Sequence, residues 1–134
     1  MKIQTELKID SAHRLQNYSG KCFNVHGHSW KIVVIVDADI KDEQGFVVDF
    51  NKIKELIMKL DHSYICSKED EVGTFLLDRG FNVIRLEENP TAEFLSEYLA
   101  YRIKDLGILG ERNRFNFVTV KVYESDVSFA EITL

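Results

Sequence analysis

His26-Gly27-His28-Ser29-Trp30-Lys31-Ile32-Val33-Val34-Ile35-Val36-Asp37 turns β-branched and apolar from Trp30 onward. It reads as a strand buried on much of both faces. Upstream, Ile3, Thr5, Leu7 and Ile9 alternate with Lys2, Gln4, Glu6 and Lys8, the pattern of a strand with one face buried. Downstream, Asp42-Glu43-Gln44-Gly45 reads as a turn. The period then changes. Phe50, Ile53, Leu56, Ile57 and Leu60 share one helical stripe, with Asp49 as N-cap. A second helix begins near Asn89-Pro90-Thr91, with the proline in its first turn. Its stripe is Phe94, Leu95, Tyr98, Leu99, Ile103 and Leu106, and Gly107 closes it. Residues 115–123 alternate as a strand, and 127–133 read as its antiparallel partner. Between the helices, 63–88 reads as an insert with a short helix at 70–79 and a strand at 81–86. Strands at both ends with helices between predict an α+β fold, a four-stranded antiparallel sheet with two helices on one face. Its two exposed edges make oligomerisation by edge pairing a natural solution.

The chain has 134 residues, 45% of them hydrophobic, so residues 1–134 read as one domain with a real core. A net charge of −5 argues against a non-specific nucleic-acid binder. Any polyanionic ligand must meet local cations. The N-terminus has no apolar region typical of a signal peptide, and the longest aliphatic run, Ile32–Val36, is far too short to span a membrane. Cys22 and Cys66 form no disulfide framework. The expectation is a soluble, reduced, cytoplasmic protein.

Three of the four histidines, His13, His26 and His28, fall within sixteen residues. In an extended segment His26 and His28 project from one face, with Gly27 leaving room for close approach. His13 supplies a third imidazole if the first strand pairs alongside. Three imidazoles with an open fourth position are the usual catalytic zinc arrangement. Cys22 leaves two readings open: a fourth ligand that closes a structural site, or a thiol off the metal acting as acid–base group or nucleophile. Asp61-His62 reads either as a polar helix end or as a carboxylate orienting an imidazole. Glu124 shares strand parity with Val118, Val120 and Val122. It is either solvated past the strand end or a recognition carboxylate for two parallel N–H donors, such as those of a pterin or guanine.

Ser11-Ala12-His13-Arg14-Leu15, Lys21-Cys22-x-x-x-His26-Gly27-His28, Val47-Val48-Asp49-Phe50, Leu60-Asp61-His62, Asn89-Pro90-Thr91-Ala92-Glu93 and Val122-Tyr123-Glu124 occur in that order. The set spans almost the whole chain and resembles the 6-pyruvoyltetrahydropterin and 6-carboxytetrahydropterin synthase superfamily. The resemblance implies the tunnelling fold, with trimers joining their sheets into a barrel and two trimers stacking as a hexamer. It implies zinc on His13, His26 and His28, a catalytic Cys22, an Asp61–His62 relay and a pterin-anchoring Glu124, with active sites between subunits. The implied substrate is 7,8-dihydroneopterin triphosphate, with Thr91 and Glu93 helping hold the pterin and Lys21 and Arg14 as candidates for the triphosphate.

The three-residue interval between Cys22 and His26 resembles the bacterial carboxytetrahydropterin synthases of queuosine precursor synthesis. The rivals are a pyruvoyltetrahydropterin synthase and a non-catalytic zinc- or pterin-binding module. Phe94, Ser125 and the long stretch from Ser63 to Glu88 depart from the family pattern. Cys66 reads as a packing residue.

Overall fold

The computed structural model describes residues 1–39, 41–109 and 112–134. Strands β1 (Lys2–His13) and β2 (His26–Ala38) form a long antiparallel pair, joined by a segment that carries a short 3₁₀ turn at Lys21–Phe23. Then come α1 (Phe50–Met58), β3 (Ser63–Ser67), α2 (Glu71–Asp78), β4 (Val83–Leu86) and α3 (Ala92–Asp105). A two-residue pair, β5 (Ile108–Leu109) and β6 (Arg112–Asn113), precedes β7 (Phe115–Tyr123) and β8 (Phe129–Thr133). The main sheet runs β4-β3-β1-β2-β7-β8.

The expected four antiparallel strands are β1, β2, β7 and β8, but the sheet has six. The insert accounts for the difference. β3 pairs in parallel with β1 over Ser11–His13, and β4 pairs in parallel with β3. Every residue of Ser63–Ser67 is buried, so β3 shows no alternation to read from sequence.

Alternation divides the faces. Trp30, Ile32, Val34 and Val36 of β2, with Val118, Val120 and Val122 of β7, are at most 1% exposed. They pack against Ile53 and Ile57 of α1 and Leu95, Leu99 and Ile103 of α3 in one core cluster. Removing such side chains from water is the main stabilising term, about 1.5–3 kcal/mol each. α1 and α3 therefore lie on one face, as expected. α2 lies on the other. Ile65 of β3 joins the core, whereas the adjacent Cys66 faces Gly73 of α2, where an added Cβ would lie 2.3 Å from Sγ.

The caps are local chemistry. Asp49 accepts from Asn51 N, Asp70 from Val72 N, and Thr91 Oγ1 from Phe94 N. Pro90 thus precedes the α3 cap rather than occupying the first turn. Gly107 follows the end of α3 without a left-handed φ. It is small because a Cβ there would meet Asn113 Oδ1 at 2.4 Å and the Phe115 ring at 2.6 Å. The expected turn at 42–45 forms, with Asp42 Oδ1 accepting from Gln44 N and Phe46 N and Gly45 at φ 86°. Among the described residues, no helix is long and apolar enough to cross a membrane.

Candidate metal centre

The β1–β2 register sets His13 opposite His26 and Ser11 opposite His28, so all three histidines project from the core-facing side at one end of the sheet. Their ring centroids lie 4.5–5.0 Å apart. The rings of His13 and His28 stand edge-on to Trp30, whose indole is buried beneath them.

Backbone carbonyls fix two tautomers. His13 Nδ1 donates to Pro90 O at 2.8 Å, and His26 Nδ1 donates to Asn24 O at 2.7 Å. A carbonyl only accepts, so each Nδ1 carries a proton, and in a neutral ring the Nε2 presents a lone pair. Those two Nε2 atoms face one another at 3.0 Å. His28 Nε2 is buried without a hydrogen-bond partner; Glu124 Oε1 is 3.1 Å away but not aligned for one. Ligand atoms of His13, His26, His28 and Glu124 all lie within 4.8 Å of one another. Converging nitrogens, two of them backed by a carbonyl on the far ring nitrogen, together with the Glu124 carboxylate, make a donor set that could hold a divalent cation. Burial holds the His13 imidazole down at about 4, aided by its two neighbours and opposed by the Pro90 carbonyl. Burial also lowers His28, against the pull of Glu124. Both therefore favour the neutral, metal-binding form.

β7 ends at Tyr123, yet the Glu124 side chain keeps the parity of the valines and reaches His28. Cys22 sits half-buried on the 3₁₀ turn, and the carboxylate converging with the three histidines is that of Glu124.

Asp61 and His62 attach elsewhere. Asp61 Oδ1 accepts from Asp10 N at 2.8 Å, His62 Nδ1 donates to Asp61 Oδ2 at 2.7 Å, and His62 N donates to Asp10 O. These bonds fasten the pair to the outer edge of β1 and hold His62 at a φ of 51°. The Asp10 amide and then His62 lower the Asp61 carboxyl, and Asp61 raises His62. His62 is 80% exposed in its side chain and lines an open cleft of about 600 Å³. Asp10, Ala12, Gly27 and Ser29, of opposite parity to the histidines, line that cleft together with Leu76, Phe81 and His28. The pair is thus presented outward and stands outside the histidine group.

Thr91 spends its hydroxyl oxygen on the α3 cap, while Glu93 is exposed in the first turn. Lys21 is exposed on the 3₁₀ turn. Arg14 does not suit a triphosphate. It is 7% exposed and donates Nε and Nη2 to Asp70. The partner lies 56 residues away, which spacing could not reveal. Two further participants had no sequence signal as site residues: the Pro90 carbonyl and the Asn24 carbonyl.

The model of the family described as 6-pyruvoyl tetrahydropterin synthase matches residues 2–134. A 6-carboxy-5,6,7,8-tetrahydropterin synthase of Aquifex aeolicus is 36% identical over 124 residues, covering 83% of this chain and 75% of that protein. The protein of the same name from Rickettsia bellii is 32% identical over 139 residues, covering 98% of this chain and 99% of its own. Among solved structures, a variant of the Plasmodium vivax 6-pyruvoyltetrahydropterin synthase aligns with a TM-score of 0.74 at 18% identity, over 100% of this chain and 97% of that one, a likeness of fold. With the family match running from the second residue to the last and the histidine constellation in place, the chain belongs to the 6-pyruvoyl tetrahydropterin synthase family.

Proposed function

We propose that the protein is a zinc-dependent 6-carboxytetrahydropterin synthase. It would convert 7,8-dihydroneopterin triphosphate and water to 6-carboxy-5,6,7,8-tetrahydropterin, acetaldehyde and triphosphate, in queuosine precursor synthesis. The observation that carries this reading is the convergence of three histidine nitrogens and the Glu124 carboxylate at one end of the sheet. Relatives named as carboxytetrahydropterin synthases support the choice of branch.

His13, His26 and His28 would hold the ion, which supplies Lewis acidity to oxygens of the substrate side chain. Glu124 accepts two parallel N–H bonds from the pterin edge, a pairing strengthened away from water. Glu93 and the Thr91 hydroxyl would help hold the pterin, and Lys21 would meet the triphosphate. Cys22, as thiolate, removes a proton from the side chain. His62 exchanges a hydroxyl proton at Nε2 while Asp61 holds Nδ1. Since His62 is presented outward, it serves the metal site of a neighbouring subunit in this reading. Among the described residues β3 pairs with β1 only over Ser11–His13, which leaves Lys2–Ile9 as an edge suited to a neighbour's strand in a trimer or hexamer.

The test is mass spectrometry of the pterin product after zinc-loaded protein meets dihydroneopterin triphosphate, with acetaldehyde assayed in the same tube. A 6-carboxy product with acetaldehyde supports the proposal. A 6-pyruvoyl product without acetaldehyde moves the protein to the other branch, and unchanged substrate with full metal occupancy leaves a binding module. Cys22→Ala is expected to abolish turnover with zinc retained; zinc lost with the thiol would make Cys22 a ligand instead.

A further inference from the structure

The 63–88 insert reaches across to the segment that carries Cys22. Arg14, buried, donates Nε and Nη2 to Asp70 Oδ1 at 3.0 and 2.8 Å. Asp70 is 0% exposed and also accepts from Tyr64 Oη at 2.7 Å and Val72 N at 3.0 Å. Two residues after Arg14, Gln16 is held on every polar group. Its N donates to Asn89 Oδ1 at 3.1 Å, and its carbonyl accepts from Asn89 Nδ2 at 3.0 Å. Its Nε2 donates to Glu69 O at 3.0 Å, and its Oε1 accepts from Ser67 Oγ. Between these anchors, Leu15 N donates to Cys22 O at 2.7 Å. Asn17 follows at φ 54°, a left-handed conformation that asparagine tolerates.

We propose that the insert is a platform that positions the Cys22 thiol. Gln16 and Asp70 are positioning residues that fix Leu15 from both sides, and Leu15 fixes the backbone of Cys22. The inference rests on Cys22 being the acid–base group of the proposed reaction. Such a group works only when its support holds it in place; a 1 Å displacement costs on the order of 100-fold in rate. The contacts come from β3 (Ser67), the turn after it (Glu69, Asp70) and the residue before Pro90.

Gln16→Ala tests this, because it removes both side-chain bonds and leaves the Arg14–Asp70 pair and the Asn89 backbone clamp. Ser67→Ala removes one of those bonds from the other side. On the zinc-loaded full chain the readouts are kcat, KM, zinc per chain, Tm, and the rate at which iodoacetamide alkylates Cys22, read by peptide mass. In Gln16→Ala, kcat falls about 10-fold while KM stays within about twofold, with zinc unchanged and Cys22 alkylation altered several-fold. The double variant falls no further than Gln16→Ala, since the two substitutions share a contact. Ser67→Ala, which leaves Gln16 and its bond to Glu69 O in place, lowers kcat less than Gln16→Ala does and alters Cys22 alkylation in the same direction; if the Gln16 variant does not fold, wild-type kcat and alkylation in Ser67→Ala overturn the proposal. Wild-type kcat and alkylation rate in Gln16→Ala overturn the proposal. Cys22→Ala separates the two levels: turnover surviving there overturns the role of Cys22, whereas its loss beside a wild-type Gln16→Ala overturns the platform alone.

Discussion

The metal-free protein should expose what it costs to bury His13. The ring is 2% exposed and titrates at about 4, against an ordinary 6.5. In the metal-free protein the unfolded chain therefore binds a proton on this residue below about pH 6.5, while the folded chain does not until about pH 4. Stability accordingly falls as pH falls through that window and levels off below it. A gap of about 2.5 pH units at roughly 1.4 kcal/mol each puts the full loss at about 3.5 kcal/mol, of which about 3 kcal/mol is reached by pH 4, a large share of a typical 5–15 kcal/mol. The assay is urea unfolding of chelator-treated protein at fixed concentration, between pH 7 and pH 4. Trp30, the single tryptophan, is 1% exposed and touches His13 and His28 edge-on, so its fluorescence reports unfolding at the site itself. Every other titrating group also contributes, so the comparison is with His13→Asn, whose amide nitrogen can keep the bond to Pro90 O. The wild type should lose about 3 kcal/mol more than the variant between pH 7 and pH 4. Parallel pH profiles for the two proteins would refute the assignment of a buried, neutral His13.

Three further outcomes follow from contacts elsewhere. Asp70→Ala leaves Arg14, 8% exposed in its side chain, as an unpaired buried cation and removes the α2 cap. Urea unfolding should show a loss of about 3–5 kcal/mol from the broken pair and about 1 kcal/mol from the cap, with Asp70→Asn milder because it can keep the cap. Gly73→Ala should destabilise by about 1–3 kcal/mol through the 2.3 Å clash with Cys66 Sγ. Adding Cys66→Ala removes that sulfur, so the double variant should be more stable than the two single effects summed, whereas simple additivity would show the contact to be absent. Glu124→Gln should weaken binding of a dihydropterin at least 10-fold, the loss of a charge-assisted pair, with zinc content unchanged in elemental analysis. Unaltered pterin affinity would remove Glu124 as the anchor, and zinc lost with the carboxylate would make it a ligand.

Much of the architecture was legible because its signals are local. The alternation of residues 2–9, the apolar run from Trp30 and the stripes of α1 and α3 each bury a face, although Phe50 at the head of its stripe is exposed, and burial selects the period that presents it. Asp49 caps its helix through a bond spanning two residues, as expected, whereas the cap of α3 is Thr91, one residue past the proline expected in its first turn. The insert was half legible for the same reason. Its helix showed at 70–79 and forms at 71–78, and its second strand showed at 81–86 and forms at 83–86. Its first strand was invisible, since a strand buried on both faces has no alternation.

The candidate site divides along the same line. His26 and His28 share a face by strand geometry alone, and the ordered motifs supplied His13, Cys22, Asp61, His62 and Glu124 as candidates. Sequence by itself determined the candidate ligand types, the strand on which two of them sit, and the helices that cover that strand. Tertiary structure decided the rest. It placed His13 opposite His26, brought Glu124 to His28, and turned Asp61 and His62 outward at the edge of β1. It also took Arg14 from any anion and gave it to Asp70. Each of these depends on pairing between distant segments, where strand register and the avoidance of a buried unpaired charge choose the partner. No local spacing records that choice.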